Sequence, residues 1–273
     1  MKKIYVSFDF EGMAGITNWK ETYGNERFNR LATEQINSFL EGFFERNKNA
    51  KVVLADSHAD GCNIFYENLV GNTQLIKGYP RNFYMVEGLD SSFDGIVFLG
   101  YHAPVGLPGN MDHSYSSGSF FDISINGQKV DEATINIYVA SYYNVPLLGI
   151  VADHIGVNWM KENLTKEIPY FTTKKSISRY AAQMKPFGKI LRGLKEFGYN
   201  ITTSEGFLFN EINNLECRII FIDTNVGYAV KTIPGVESMG ARKIRFKASN
   251  PIQLYKYLMT IISVASSVKQ LYR

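Results

Sequence analysis

This chain of 273 residues has few cysteines, no long apolar run and no large excess of charge of one sign. Each of these features excludes some classes of protein. The two cysteines, Cys62 and Cys217, lie far apart and form no Cys-x-x-Cys motif, so we expect free thiols in a reducing compartment. No apolar run approaches the ~20 residues that a membrane span needs. The apolar run after Lys2 and Lys3 reaches Asp9 almost at once, which argues against a signal peptide and favours a cytoplasmic location.

Charged residues are balanced rather than clustered. The chain carries 29 basic and 26 acidic side chains, which gives a net charge of +3, and no long run of one sign occurs. Because lysine and arginine are scattered, we expect no nucleic-acid partner, and we expect the Lys174-Lys175 pair to lie on a solvated surface. The hydrophobic share of 45% is enough for one large domain or for two smaller domains with cores of their own.

Strand and helix patterns alternate in the first half of the chain. Residues 4–6 have the β-branched and aromatic bias of a strand. Residues 25–46 carry apolar side chains at spacings of three and four, which predicts an amphipathic helix, and residues 51–55 predict a buried strand. Such a strand, helix and strand form a βαβ unit, with parallel strands and a right-handed crossover. Further strands are predicted at residues 74–76, 94–100, 121–125 and 146–152, with a hairpin turn at Asn126-Gly127 and a helix at 131–143.

The pattern changes after about residue 155. Helices are predicted around residues 178–184 and 189–197, strands at 218–222 and 243–247, and a C-terminal helix at 251–268 with Pro251 in its first turn. We therefore predict an α/β fold, with a mainly parallel sheet flanked by helices and a second, smaller α/β unit. The predicted boundary separates a larger α/β domain at residues 1–160 from a smaller C-terminal α/β domain at residues 161–273.

Three of the predicted strands end in residues that can bind a metal. Asp9, His58 and His102 each follow an apolar strand, and in an open parallel sheet the ligand crevice lies at the carboxyl ends of the strands. Glu11 projects to the same side of an extended chain as Asp9, and Glu132 begins a predicted helix. Two imidazoles and three carboxylates suit zinc, with manganese, cobalt or iron as alternatives. The set is too large for one catalytic zinc with an open position, but two metal ions ~3.5–4 Å apart would use all five ligands.

Short motifs along the chain carry a resemblance to a known family. They are Ser7-Phe8-Asp9-Phe10-Glu11-Gly12, Asp56-Ser57-His58, Met85-Val86-Glu87-Gly88-Leu89-Asp90, Phe98-Leu99-Gly100-Tyr101-His102-Ala103, His113-Ser114, Glu132 with Asn136, Tyr138-Val139-Ala140 and Pro234-Gly235-Val236-Glu237. On these motifs the sequence resembles the zinc-dependent D-aminopeptidase family, first associated with bacterial dipeptide-transport operons. The resemblance covers almost the whole chain and is densest before residue 155. It is specific because the acidic turn, Asp9-Phe10-Glu11-Gly12, occurs together with both histidine motifs, which contain His58 and His102.

The resemblance implies a metal centre, a catalytic residue and an activity. Asp9 would bridge two zinc ions within the larger domain, at residues 1–160, and His113 would be catalytic. The residues that would complete the two coordination spheres are Glu11, His58, His102 and Glu132. The family's enzymes release an N-terminal D-amino acid from short peptides and related amides, and they assemble as rings around an internal chamber. We therefore expect a two-zinc aminopeptidase that acts on short peptides with an N-terminal D-residue such as D-alanine, in a ring-shaped homo-oligomer.

Several interpretations of the site remain open. His113 fits a general base as well as a nucleophile. The ligand set alone also fits a two-metal hydrolase of phosphoesters or non-peptide amides, although no glycine-rich phosphate loop or arginine cluster supports it. A third alternative is a non-catalytic peptide-binding module with a structural metal, but it leaves His113 without a use. Asn136, one helical turn after Glu132, is expected either to orient a ligand or the substrate carbonyl, or to cap local backbone.

Overall fold

Residues 1–271 are described by the computed structural model, and within them the chain forms thirteen strands and six α-helices. The strands are, in chain order, β1 (Lys3–Phe8), β2 (Lys51–Asp56), β3 (Thr73–Ile76), β4 (Gly95–Tyr101), β5 (Phe120–Ile125), β6 (Gln128–Lys129), β7 (Leu147–Ala152), β8 (Tyr170–Thr172), β9 (Lys174–Ser178), β10 (Ala181–Met184), β11 (Leu215–Phe221), β12 (Val236–Ser238) and β13 (Lys243–Ala248). The helices are α1 (Glu26–Arg46), α2 (Glu132–Tyr142), α3 (His154–Asn163), α4 (Phe187–Asn200), α5 (Thr224–Val230) and α6 (Pro251–Leu271). None of these six helices combines the length and the apolar character that crossing a bilayer requires.

A six-stranded sheet forms the centre of the fold, in the order β3-β2-β1-β4-β7-β8. Every neighbouring pair in it is parallel, with Ile4 of β1 level with Val52 of β2 and with Gly95 of β4. The strands that follow β1 in the chain, β2 and β3, lie on one side of it. The later strands β4, β7 and β8 lie on the other side, so the order of strands reverses between β1 and β4. This reversal creates a crevice at the carboxyl ends of β1 and β4, which is where open α/β sheets bind ligands. The predicted parallel α/β architecture is confirmed.

Apolar side chains fill two cores, one on each face of this sheet. Ile4, Val6 and Phe8 of β1 pack with α1 and α4 in one core. Tyr5 belongs to the other core, which contains α2, α6 and a second, antiparallel sheet. Because both faces are covered, β1, β2, β4 and β7 are buried at nearly every position. The helix predicted at residues 25–46 is α1, and its buried side chains recur at helical spacing.

Five strands form the second sheet, antiparallel and in the order β12-β13-β11-β5-β6. Asn126 and Gly127 join β5 to β6 with φ angles of 50° and 82°, the left-handed conformation of a type I′ turn, so the predicted hairpin turn is confirmed. Strands from both sides of residue 160 occur in this sheet, and β8 adds a strand from beyond residue 160 to the parallel sheet. The division into residues 1–160 and 161–273 stays a prediction.

One of the predicted helices is wrong. Around residues 178–184 the chain forms a β-hairpin instead, in which β9 and β10 are antiparallel and Lys174 pairs with Met184. A helix of two turns is unstable unless packing supports it, whereas the hairpin gives β10 backbone partners on β9. The helix predicted at residues 189–197 is confirmed as α4. It packs so closely on α1 that a methyl group at Gly42 would lie 1.9 Å from the carbonyl oxygen of Lys195.

Candidate metal centre

The ends of three strands and the start of one helix bring the predicted ligands to the sheet crevice. Asp9 directly follows β1, and its N–H donates to the carbonyl of Leu99 on β4 (2.7 Å), so the acidic turn stays attached to the neighbouring strand. His58 lies two residues after β2, and His102 directly follows β4. Glu132 is the first residue of α2. The topology thereby joins side chains that are far apart in sequence.

The five predicted ligands approach one another around Asp9. His58 Nδ1 is 2.9 Å from Glu11 Oε2 and 3.4 Å from Asp9 Oδ1. His102 Nε2 is 3.4 Å from Asp9 Oδ2 and 3.5 Å from Glu132 Oε1. All five side chains belong to residues that are no more than 5% exposed. Asp9 thus lies between the two histidines and directs one carboxylate oxygen to each.

Buried polar atoms without a partner indicate a site for a cation. Among the described residues, Asp9 Oδ2, His58 Nε2 and His102 Nε2 are buried and make no hydrogen bond. Two sets of three residues offer ligand atoms within 4.8 Å of one another, namely Asp9, Glu11 and His102, and His102, His113 and Glu132. Carboxylates this close in a buried pocket repel one another unless a proton or a cation lies between them. The residues present therefore fit zinc, which binds imidazole nitrogen and carboxylate oxygen at ~2 Å.

The hydrogen bonds of two histidines direct their Nε2 atoms into the site. His102 Nδ1 donates to the carbonyl oxygen of the next residue (2.9 Å), and His113 Nδ1 donates to the carbonyl oxygen of Met111 (2.9 Å). A neutral ring whose proton is on Nδ1 has its lone pair on Nε2. His113 Nε2 lies 3.8 Å from both Glu11 Oε1 and Glu132 Oε1. It therefore faces the gap between the two carboxylates without bonding to either.

The carboxylates change the protonation of the first two histidines. Burial favours a neutral ring at His102, but Glu132 and Asp9 outweigh this effect and raise its pKa to about 10. Burial is likewise outweighed at His58, where Glu11 and Asp9 raise the pKa well above its usual value. In the metal-free protein, protons on these two rings therefore offset the carboxylate charge. Metal ligands must be deprotonated, so a bound metal takes the place of those protons.

His113 differs from the other two site histidines in its surroundings. Burial, together with the positive charge of His102, lowers the pKa of His113 below its usual value. Its ring stacks on His102 with a centroid distance of 4.2 Å and an interplanar angle of 8°, and it makes a T-shaped contact with Trp19 at 4.9 Å. A neutral imidazole that is held in this way, with Nε2 free, can accept a proton near neutral pH.

A buried lysine holds the acidic turn in place. Lys174 is 1% exposed, and its Nζ donates to the carbonyl oxygens of Glu11 and Ile16, both at 2.5 Å. Its neighbour Thr173 donates to the carbonyl oxygen of Gly12 (2.5 Å). Burial lowers the pKa of Lys174 to about 8. The prediction that this lysine is solvated is therefore wrong, because the chain before β9 folds back over the acidic turn, and no local pattern indicates that contact.

A buried hydrogen-bond network lies beneath the ligands. The hydroxyl of Tyr101, at the end of β4, is 2.7 Å from Ser7 Oγ and accepts from Asn136 Nδ2 (2.9 Å). Ser7 Oγ donates to the carbonyl oxygen of Met85 (2.8 Å). Asn136 therefore holds Tyr101 in place and does not cap local backbone. Because the network joins β1, β4 and α2, it fixes the elements from which three of the ligands project.

Asp153 supports the loop that follows His102. Its Oδ1 accepts from the N–H of Ala103 (3.1 Å), and its Oδ2 accepts from the hydroxyl of Ser176 (2.7 Å). The same carboxylate caps the N-terminus of α3. His154 Nδ1 accepts from the N–H of Ser176 (2.9 Å). Asp153 and His154 therefore do not belong to the ligand set. Their hydrogen bonds connect β9 and α3 to the loop that follows His102.

The fold and the site together define a class. Buried imidazoles and carboxylates gather at the switch point of a parallel sheet, beside a neutral histidine, and this arrangement is that of a metal-dependent hydrolase. A family model described as D-aminopeptidase matches residues 1–260. The chain therefore belongs to the D-aminopeptidase family, as its motifs led us to expect.

Two relatives agree with this assignment. The D-aminopeptidase of Bacillus subtilis (strain 168) is 31% identical to this chain in an alignment of 281 positions, and the alignment covers 96% of this chain and 97% of that protein. A solved structure, described as the Zn-dependent D-aminopeptidase DppA from Bacillus subtilis, a self-compartmentalizing protease, matches with a TM-score of 0.89 at 29% identity. The match covers 97% of this chain and 98% of that one. The expected family and fold are confirmed, whereas the individual roles of the six site residues stay predictions.

Proposed function

We propose that this protein is a zinc-dependent D-aminopeptidase, which removes an N-terminal D-residue from short peptides or amides. One observation carries the proposal: in a chain of this family, ligand atoms of Asp9, His58 and His102 are buried at the switch point of the sheet and make no hydrogen bond within the described part of the chain. Asp9 would help to hold both zinc ions together with His58 and His102, because it directs one oxygen to each histidine. Glu11 and Glu132 complete the proposed ligand set, which manganese or cobalt would also fit.

Two zinc ions in this site would activate a water molecule and polarise the scissile carbonyl. The residues of the chain bind the substrate amine and move the protons. Glu11 is the proposed partner of the α-amino group. Burial favours its protonated form, but in the metal-free protein the charge of His58 holds the pKa of Glu11 well below its usual value. Zinc would supply this positive charge once it displaces the His58 proton, so the carboxylate stays charged at neutral pH. His58 contacts Oε2 in the metal-free protein, so Oε2 would be the oxygen that binds zinc, and Oε1 would be the partner of the amine.

His113 is the proposed proton carrier. Its Nε2 accepts a proton from the attacking water and returns that proton to the leaving amine. The hydrogen bond to Met111 fixes the tautomer, and the stacked ring of His102 fixes the plane of the imidazole. A nucleophilic role would use the same Nε2 atom. Mass spectrometry of rapidly quenched reactions separates the two roles, because only a nucleophile leaves a covalent adduct on the protein.

The cleft over the ligands suits a small substrate residue. It measures about 170 Å³, and the aromatic rings of Trp19, Tyr23, Tyr84 and Tyr115 contribute to its walls. Pockets that hold drug-sized ligands measure about 300–1,000 Å³. We therefore infer that the N-terminal residue of the substrate has a small side chain, such as that of D-alanine.

We also propose a ring-shaped homo-oligomer and a cytoplasmic location. The solved relative is described as self-compartmentalizing, and large apolar side chains of this chain, such as Ile177 (69% exposed) and Tyr228 (77% exposed), would be covered by neighbouring copies. Light scattering during gel filtration measures the mass, and a monomer at micromolar concentration would contradict the ring. Cys62 and Cys217 are free thiols, as in proteins of reducing compartments.

Hydrolysis of D-Ala-D-Ala and of L-Ala-L-Ala by the zinc-loaded protein tests the proposed activity. We expect release of D-alanine from the first peptide only, and loss of that activity on chelation and in His58→Ala. The exposed pair of Lys166 and Glu205 supplies a matched control, since Glu205→Ala lies outside the site and should keep full activity. Turnover of the L-peptide alone would overturn the D-specificity. Turnover of neither peptide by protein that holds zinc would overturn the proposal and favour phosphoesters or non-peptide amides as substrates.

A further inference from the structure

A larger cavity adjoins the cleft over the metal ligands. It measures about 910 Å³ and lies between residues 79–84 and helix α6. The lining residues that it shares with the metal cleft are Ala59, Tyr84, Tyr115 and Ser266. Ala59 directly follows His58, and the N–H of Tyr115 donates to Glu132 Oε1 (2.6 Å). Two of the shared residues therefore lie directly beside proposed metal ligands. A substrate bound at the metal cleft can extend past them into the larger cavity.

The charged side chains that line the two spaces differ in sign. Carboxylates of Asp9, Glu11 and Glu132 line the metal cleft. The larger cavity is lined by the cations Arg81 and Lys256, and none of its described lining residues is an aspartate or a glutamate. A short unblocked peptide has the same polarity, since its amino end is positive and its carboxyl end is negative. With the amine at the carboxylates, the carboxyl end points towards the basic cavity.

Arg81 has hydrogen-bonding capacity that the described part of the chain does not use. Its Nη2 donates to the carbonyl oxygen of Asp56 (2.6 Å), and its guanidinium lies 5.6 Å from the ring centroid of Tyr84. Its Nε and Nη1 are buried and have no partner among the described residues. These two nitrogens carry three of the five N–H groups of a guanidinium. A buried charged donor without an acceptor is costly. Arg81 as a whole is only partly buried and lines the cavity, so a small turn of its guanidinium towards the cavity would give these nitrogens an acceptor on a bound ligand.

We propose that Arg81 binds the C-terminal carboxylate of the substrate and thereby makes the enzyme selective for short peptides with a free carboxyl end. This inference rests on the proposed function. A guanidinium fork matches a carboxylate in shape and charge, and the bond to Asp56 holds it in place at the end of β2, two residues before His58. Arg81 is a specificity-determining residue in this scheme and takes no part in the chemistry.

A comparison of D-Ala-D-Ala with its C-terminal amide tests this inference on the wild-type enzyme. The two substrates share the scissile bond and differ only in the group that Arg81 would contact. We expect kcat/KM to be at least about 10-fold higher for the free acid, as the loss of one charge-assisted hydrogen-bonded contact implies. Equal kcat/KM values for the two peptides would overturn the inference.

Variants then assign the preference to Arg81. Arg81→Met should lower kcat/KM for the free acid by about 10- to 100-fold, mainly through KM, and should leave the amide within about 2-fold. Arg81→Lys should restore part of the loss, because it keeps the charge without the fork. Lys77→Met is the matched control, since it removes an exposed positive charge from the same stretch of chain but lines neither cavity, and it should change neither substrate by more than about 3-fold. An equal fall for both substrates in Arg81→Met, or an equal effect of Lys77→Met, would overturn the assignment.

A binding measurement separates failure of this inference from failure of the proposed function. If the zinc-loaded protein turns over neither peptide, the proposed function is wrong, and thermal unfolding with N-acetyl-D-alanine or its amide still tests the carboxylate site. The acid should raise the melting temperature of the wild type more than that of Arg81→Met, and the amide should raise neither. An equal shift of both proteins by the acid would overturn the carboxylate site, whatever the activity.

Discussion

Gly12 is the position at which a single methyl group should disturb the site most. Its N–H donates to the carbonyl of Gly100 on β4 (2.6 Å), so the acidic turn and β4 touch backbone to backbone. A Cβ atom on Gly12 would lie 1.7 Å from the carbonyl oxygen of Tyr101 and 2.5 Å from the carbonyl carbon of Gly100. A packed interior cannot absorb this overlap, so Gly12→Ala should push the turn away from β4 by about 1 Å or more.

This displacement acts directly on a proposed ligand, because Glu11 precedes Gly12. Metal–ligand distances are fixed to within about 0.2 Å, and a misplacement of about 1 Å can lower a rate about 100-fold. We therefore expect kcat/KM for D-Ala-D-Ala to fall by about 100-fold or more, together with weaker zinc binding. The overlap itself should lower the free energy of unfolding by about 1–3 kcal/mol.

Steady-state kinetics, zinc content after dialysis and urea unfolding measure these three effects of Gly12→Ala. Gly188→Ala is the matched control, because Gly188 is exposed in the first turn of α4 and a Cβ there would meet only Arg192 Nη1, at 4.0 Å. Alanine favours a helix over glycine, so this control should be more stable by about 0.5–1 kcal/mol and fully active. A Gly12→Ala protein that folds, keeps its zinc and matches the wild-type rate would refute the reasoning.

Three further predictions concern the proton carrier, the buried lysine and the protons that zinc displaces. His113→Ala should lower kcat by about 100- to 10,000-fold at unchanged zinc content, and a loss of zinc instead would contradict its role as a proton carrier. Lys174→Met should lower the free energy of unfolding in urea by about 2–4 kcal/mol, because two buried carbonyls lose a charged donor. Lys175 is exposed, so Lys175→Met should change that free energy by less than about 0.5 kcal/mol. Equal effects of the two substitutions would contradict the role of Lys174 in holding the acidic turn. Zinc binding at pH 7 should release about two protons, one each from His58 and His102, because the pKa of each ring is raised in the metal-free protein. Since protons and zinc compete for these rings, zinc affinity should fall as the pH falls. Calorimetry in buffers of different ionisation enthalpy counts these protons, and a count near zero would show that the rings are neutral before zinc binds.

The positions of the candidate ligands could be predicted because each depends on a local pattern. Asp9, His58 and His102 follow strands that the sequence marks by apolar runs, and parallel strands bring their carboxyl ends to one edge. Glu132 begins a helix whose start the sequence also marks. These side chains meet in the structure as expected.

The supporting contacts could not be predicted, because they join segments without a shared local signal. Lys174 reaches Glu11 across 163 positions, and its sequence neighbourhood is typical of a solvated surface. The β9–β10 hairpin could not be predicted for the same reason. A short pattern such as that at residues 178–184 fits a helix or a strand, and only pairing with a second strand decides between them. Arg81 likewise lies in a loop with no motif, and its importance depends on the cavity that α6 closes.

The most direct test of the central claim is a zinc titration of the metal-free protein, with D-Ala-D-Ala hydrolysis recorded after each addition. The claim is that Asp9, Glu11, His58, His102 and Glu132 hold two zinc ions on which hydrolysis depends. Activity should rise until two zinc ions are bound per chain and should then stay constant, and it should not rise in His102→Ala. Activity that survives chelation, or that reaches its full value in His102→Ala, would contradict the claim.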